Sequence, residues 1–188
     1  LTLMVDPIRA SLQISDVEIS LLHGFAFAIF YTFLGLPIGR MVDRHKRTTI
    51  ITVGVLVWSV FTALCGLSRN FVQMFLFRVG VGAGEAALSP GAYSLLSDYF
   101  RPSKLTRALS IYTGALYVGA GLAMIVGGSL IATIKPVTLP VLGYLEPWQS
   151  VFLLVSLPGF VVALLIFFLR EPERRGKIAV AGQAQPSI

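Results

Sequence analysis

The chain has 188 residues, 55% of them hydrophobic and 13% charged, with a formal net charge of +6 and a mean hydropathy of +0.80. A soluble domain carries roughly 25% charged residues; here the few charges cluster and leave apolar runs as long as the about 20 residues that cross a bilayer, which excludes a soluble globular domain. The single cysteine, Cys65, excludes an intrachain disulfide and, set in an apolar run, reads as a small buried hydrophobe.

Residues 1–5 read as the tail of a helix already under way, with no initiator methionine or signal-peptide pattern, so the sequence reads as a fragment. Residues 6–18 form a polar connection ending in Ser15-Asp16-Val17-Glu18, a capping-box pattern that predicts a helix start. The first complete span follows at 19–39, interrupted only by His23 and Pro37, and residues 40–47 make a short basic loop. The second span is 48–67, closed by a tight turn at 68–70. The third, 71–97, contains Arg78 and Glu85 and leads into a basic loop at 98–107. The fourth, 108–134, is glycine-rich. A loop with three prolines follows at 135–150, where Trp148 reads as an interfacial anchor. The fifth span is 151–169, and from Arg170 the chain turns charged, then polar and small, as an unstructured tail does. Residues 1–175 thus form one transmembrane unit, and 176–188 a cytoplasmic tail or the start of a linker.

With five complete spans, the loops alternate sides. One side holds Arg40, Arg44, Lys46, Arg47, Arg101, Lys104, Arg107, Arg170, Arg174, Arg175 and Lys177; the other holds only Arg9, Arg69 and Lys135. The positive-inside rule makes the first side cytoplasmic. Orientation therefore accounts for the basic balance without a nucleic-acid partner. His23 falls near the outer end of its span and His45 on the cytoplasmic loop, so topology excludes a two-histidine metal site. No metal, cofactor or phosphate-binding Gly-Lys-Ser/Thr sequence is expected.

Two motifs carry chemistry. Gly39-Arg-Met-Val-Asp43-Arg44-His-Lys-Arg47 places an acid at a helix C-terminus, against the macrodipole, so Asp43 needs a partner. Simple positive-inside anchoring explains Arg40 and Lys46 but not Asp43. Inside the third span, Arg78-Val-Gly80-Val-Gly82-Ala-Gly84-Glu85 sets two ionised groups at bilayer depth, where each costs about 2.5–3.5 kcal/mol on insertion scales. Seven residues separate them, so they share nearly one helix face at roughly 10 Å, too far for a direct ion pair in a straight helix. A structural charge network is the alternative to a transport role. Glu85 suits a proton carrier, because a carboxyl's proton affinity responds both to burial and to a nearby Arg. Arg78 stays charged and suits an anionic group or control of Glu85. Gly80, Gly82 and Gly84 let another backbone come close, and Gly114, Gly121 and Gly128 form a second small-residue stripe read as helix packing.

The first of these motifs resembles the signature loop of the major facilitator superfamily, with Lys46 where the family often has Gly. The resemblance implies that the loop latches two halves of a transporter. It also implies that Asp98 and Arg101, with Arg107, join Gly39, Asp43, Arg44 and Arg47 in a gating charge cluster, with Asp98 against Arg44 or Arg47. The stretches GLPIGRMVDRHKR, FRVGVGAGEAALSP, LSDYF and PWQSVF, with LPGF running on to REPERR, are similar to the spinster-like group. No proline lies between Ser110 and Ile134, unlike the Gly-Pro motif of antiporter members. The implied fold is an all-α, N-terminal six-helix half of a major facilitator bundle with its first helix mostly missing. The implied function is secondary transport by alternating access, proton-coupled or facilitated, of a lysolipid- or sphingoid-like amphiphile. An organic-anion or sugar-acid symporter of the same superfamily stays open, as does a non-transporting sensor or scaffold. No enzyme is expected. The expected partners are substrate, protons, the bilayer and a C-terminal six-helix half, in a bacterial inner membrane.

Overall fold

A computed structural model describes residues 2–140 and 143–174. The expected tail at 176–188 lies outside them. Among the described residues, five helical stretches are long and apolar enough to cross a membrane: Asp16–Arg44, Arg47–Cys65, Phe71–Tyr99, Pro102–Thr133 and Pro147–Phe167.

The N-terminal connection is more ordered than its polarity suggests. A 3-10 turn, Thr2–Met4, leads into α1 (Val5–Leu12), whose Ile8 is fully buried, so half of the expected polar connection is helix. The Ser15 capping box is present. The Ser15 backbone N–H donates to Glu18 Oε2 at 2.8 Å, and the Glu18 N–H returns a bond to Ser15 Oγ at 3.3 Å, starting α2 (Asp16–Ser20). A π-helical turn, Leu21–Phe25, joins it to α3 (Ala26–Arg44).

The charged sequences expected to be loops are mostly helix ends. α3 runs on through Arg40 and Asp43 to Arg44, and α4 (Arg47–Cys65) begins after only His45 and Lys46. α7 (Pro102–Thr133) starts six residues before the apolar run does, because Pro102 sits in the first turn, where its missing N–H costs nothing. α8 (Pro147–Phe167) begins in the same way, with Glu146 and Gln149 forming a capping box. Charge density marks the membrane boundary, whereas helices here continue past it. The preceding loop folds into a short antiparallel hairpin, β1 (Val137–Leu139) with β2 (Gly143–Leu145).

The expected third span is two helices. α5 (Phe71–Glu85) stops at Glu85, and α6 (Leu88–Tyr99) resumes after Ala86 and Ala87. Pro90 is the cause: it has no N–H to give the Ala86 carbonyl, and its ring clashes with that carbonyl in a regular helix.

α4 lies between α5 and α8 and organises the packing. One buried cluster joins the N-terminal segment to the end of α4 and the starts of α5 and α8 through Ile8, Leu22, Cys65, Met74, Trp148 and Phe152. Trp148 is therefore a core residue at 2% exposure, packed edge-to-face on Phe152, and not an interfacial anchor. A second cluster, Ile51, Val55, Leu95 and Ala163, fills the opposite half. α7 has no buried residue and is only lightly packed, with Tyr112 edge-to-face on Tyr93 of α6 and Leu130 and Ile131 against the first cluster.

The two glycine groups differ sharply. A Cβ on Gly80 would lie 2.3 Å from the Phe61 ring, one on Gly82 2.6 Å from the Phe27 carbonyl, and one on Gly84 2.5 Å from the Trp58 nitrogen. At 3.6 residues per turn, Gly80 and Gly84 share the α4 side of α5 while Gly82 turns to α3, so the glycines let α5 lie tightly between both neighbours. Gly114, Gly121 and Gly128 meet nothing within 4 Å, so within the described residues they are not packing contacts. Their spacing is right, but among the described residues no helix lies against them.

Candidate functional site

Two groups of polar residues stand out, one where α3 gives way to α4 and one within the α5 span. The first centres on Arg47, the opening residue of α4, which is 0% exposed. Its Nε donates to Glu171 Oε1 at 2.7 Å, and Nη1 donates to the Ser94 carbonyl at 3.0 Å and to Asp98 Oδ2. Nη2 donates to the Pro172 carbonyl at 3.0 Å. Glu171 uses its other oxygen to accept the Thr48 backbone N–H at 2.9 Å, one of the donors that a helix N-terminus leaves unpaired. One guanidinium thus joins α4, α6 and the segment after α8.

Arg174 does the converse at the end of α3. It donates to the carbonyls of Asp43, Val42 (2.5 Å) and His45 (2.6 Å), satisfying acceptors that the helix C-terminus leaves open. Tyr99 Oη, ending α6, donates to the Arg170 carbonyl. Residues 170–174 are therefore docked across the α3–α4 junction and the end of α6, which corrects the expectation of an unstructured tail from Arg170.

Of the expected gating residues, Arg47 and Asp98 come together, with Arg47 and not Arg44 as the partner. Gly39 has open space around it. Arg44, Arg101 and Arg107 are exposed, and among the described residues their guanidinium groups pair with nothing. The Asp43 carboxylate is also exposed and without a partner among the described residues; only its backbone carbonyl is engaged. Glu171, Ser94 and Arg174 were not anticipated. The only signal for Glu171 and Arg174 was REPERR, whose charges compositional reasoning assigns to solvent.

Burial pushes the Glu171 pKa up, but the bonds from Thr48 and Arg47 outweigh it and hold the carboxyl below its ordinary range. A depressed folded-state pKa stabilises fully above the unfolded value, about 4.3, and the stabilisation is lost as pH falls through the folded value. The melting temperature should therefore hold from neutral pH to about pH 5 and fall below it. Glu171→Gln should lower the neutral-pH value and flatten the acid decline; an unchanged acid profile would count against this assignment.

The second group lies along one side of α5. Arg78, half-buried, donates through Nε to the Leu22 carbonyl at 3.4 Å and places its guanidinium 5.7 Å from the centre of the Phe27 ring. That carbonyl belongs to the π-helical turn, a backbone irregularity frequent at functional sites. Glu85, also half-buried, is the last residue before the helix break and forms no ion pair with Arg78. One step further along α3, Tyr31 Oη and Ser89 Oγ are 3.3 Å apart, linking α3 to α6 just past the break. The face of α5 toward α3 therefore carries a fixed cation, a carboxyl and an interrupted helix. His23 and His45 lie on separate elements, and no cluster of three or more metal-ligating side chains occurs among the described residues.

A family model for the Major Facilitator Superfamily matches residues 1–188. The chain is 31% identical over 173 residues to protein spinster homolog 1 of Xenopus laevis, covering 91% of this chain and 31% of that protein. It is 25% identical over 177 residues to the probable L-galactonate transporter of Escherichia coli, covering 94% and 36%. The crystal structure of a bacterial homolog to the human lysosomal transporter spinster, inward-facing and unoccupied, superposes with a TM-score of 0.83 at 35% identity, over 92% of this chain and 39% of that one. The chain spans about a third of the length of the curated relatives it matches.

Proposed function

The chain belongs to the Major Facilitator Superfamily, and from that membership we propose that it supplies the N-terminal half of a secondary transporter working by alternating access, with Glu85 as the proton carrier. A second six-helix half completes the substrate cavity at the bilayer midplane, as transporters built from repeats place it. The observation that carries this reading is the Arg78–Glu85 face of α5. Two ionisable groups share one side of a membrane span without neutralising each other, and intramembrane charges are retained where they act. The helix break after Glu85 gives that carboxyl a point about which its surroundings can change. The exposed Asp43 carboxylate faces the second half and closes one state of the cycle; the Arg47 network keeps the cytoplasmic end rigid while it does so.

The preferred substrate is a lysolipid- or sphingoid-like amphiphile, in keeping with the spinster-like relatives. A second reading, an organic-anion or sugar-acid symporter, is favoured by Arg78, whose held guanidinium suits an anionic group. The membrane in question is a bacterial inner membrane. The test uses the full-length protein in proteoliposomes under an imposed proton gradient. Labelled lysophospholipid should move across the bilayer in a gradient-dependent manner, whereas labelled galactonate should not. Galactonate transport alone selects the second reading. Transport of neither, by protein that melts cooperatively, leaves a membrane sensor or scaffold.

A further inference from the structure

A cleft of about 520 Å³ opens between α3 and α4, away from the Arg78–Glu85 face, and the transport reading makes no use of it. Its walls are apolar: Ile38 and Met41 on one side, Ile50 and Val53 on the other. Met41 is 48% exposed and Val53 53%, so the cleft is an open groove and not an internal void. The floor is where α4 and α5 meet at Gly54 and Gly84, whose missing side chains let the two backbones close on each other.

Three observations fix the occupant. His45 and Lys46 line the groove at its cytoplasmic mouth, and exposed Arg40 and Arg44 stand on the preceding helix turn, so the entrance is cationic. From Lys46 to Val57, its deepest lining residue on α4, the groove spans eleven residues, roughly 16 Å of helix. That is about half of a ~30 Å hydrocarbon core, the depth of one leaflet. Past His45, Lys46 and Thr49 near the mouth, the lining side chains are all apolar. An apolar slot one leaflet deep with a basic rim on the cytoplasmic side fits a single lipid molecule, its tail in the slot and its acidic head at the rim.

We propose that the α3–α4 groove is a binding site for an anionic diacyl phospholipid of the cytoplasmic leaflet, with one acyl chain lying on the Gly54–Gly84 floor and the phosphate held by Lys46. The site is separate from the substrate cavity. Its occupant bears on the α4–α5 contact one residue away from Glu85, so the lipid supports the helix that carries the proton site.

The experiment is photo-crosslinking of the full-length protein in nanodiscs of phosphatidylethanolamine containing phosphatidylglycerol with a diazirine in one acyl chain. The label should map to α3 and α4 residues of the groove. Val53→Trp should fill the slot and lower labelling about tenfold, the effect of excluding even a few methylenes; Met41→Trp should do the same from the other wall. Val53→Leu should retain labelling, and all three variants should melt as the parent does. Lys46→Gln should cost about fivefold of the preference for phosphatidylglycerol over a phosphatidylethanolamine probe. Labelling that ignores both tryptophans, or that falls outside the groove, overturns the proposal. Displacement of the probe by a lysolipid that the protein transports would overturn it too, since the groove would then belong to the substrate path.

Discussion

Replacing Arg47 with alanine should destabilise the bundle by about 3–5 kcal/mol, the cost of breaking a buried pair by removing one partner. The side chain is 1% exposed, against 12% for Asp98 and 22% for Glu171, so both carboxylates would be left facing each other in a poorly solvated pocket. The Ser94 and Pro172 carbonyls would lose their donor as well. Arg47→Lys should recover only part of the loss, because a single ammonium cannot reach acceptors on three elements in the way a planar guanidinium does. Arg47→Met combined with Asp98→Asn and Glu171→Gln should recover more than Lys does, since no charge is then stranded. Denaturant or thermal unfolding in detergent measures this. A loss below about 1 kcal/mol for Arg47→Ala, the scale of a surface ion pair, would mean the network is solvated.

The next largest effect should come from Gly84. A Cβ there would lie 2.5 Å from the Trp58 nitrogen and 2.6 Å from the Gly54 carbonyl, and neither backbone atom can swing away as the end of a side chain can. Gly84→Ala should therefore push α5 off α4 and cost about 1–3 kcal/mol, although alanine alone favours the helix by about 1 kcal/mol. Gly54→Ala meets the same obstacle from the opposite side, with the Ala87 Cβ at 2.6 Å and the Gly84 carbonyl at 2.7 Å. Once one methyl has parted the helices, the second costs less, so the double variant should be less destabilised than the sum of the two. Strict additivity in unfolding measurements would show that the two glycines do not share one contact.

The spans were legible because apolar runs of bilayer length have no other economical fold, and the Ser15–Glu18 cap was legible because its chemistry is local. Helix ends were not. Charges at 40–44 and 102–107 mark where the bilayer stops, while the backbone stays helical beyond it. The break at Ala86 and Ala87 was written in Pro90 but hidden by the unbroken apolarity of the run. In the Arg47 cluster, Arg47 and Asp98 were readable through the family's loop motif. Glu171 and Arg174 were not, because they lie 124 and 131 residues from the groups they meet, and their local composition is that of a tail. The glycines give the plainest case. Spacing reports which residues share a helix face, as it does at 80–84 and at 114–128, but only the presence of a neighbour turns that face into a contact.

At the α5 face, the sequence placed Arg78 and Glu85 on one side of a helix and too far apart to pair, and the structure keeps them apart. It adds the Leu22 carbonyl and Phe27 ring that hold Arg78 and the break that follows Glu85. The proton-carrier role rests on that arrangement. The measurement that tests it most directly compares full-length parent and Glu85→Gln proteins in proteoliposomes, recording gradient-driven accumulation of the transported solute alongside its exchange at equal pH. The account predicts that Glu85→Gln abolishes accumulation and keeps exchange, since a permanently neutral residue can cycle but carries no proton. Accumulation at the parent level without Glu85 would contradict it.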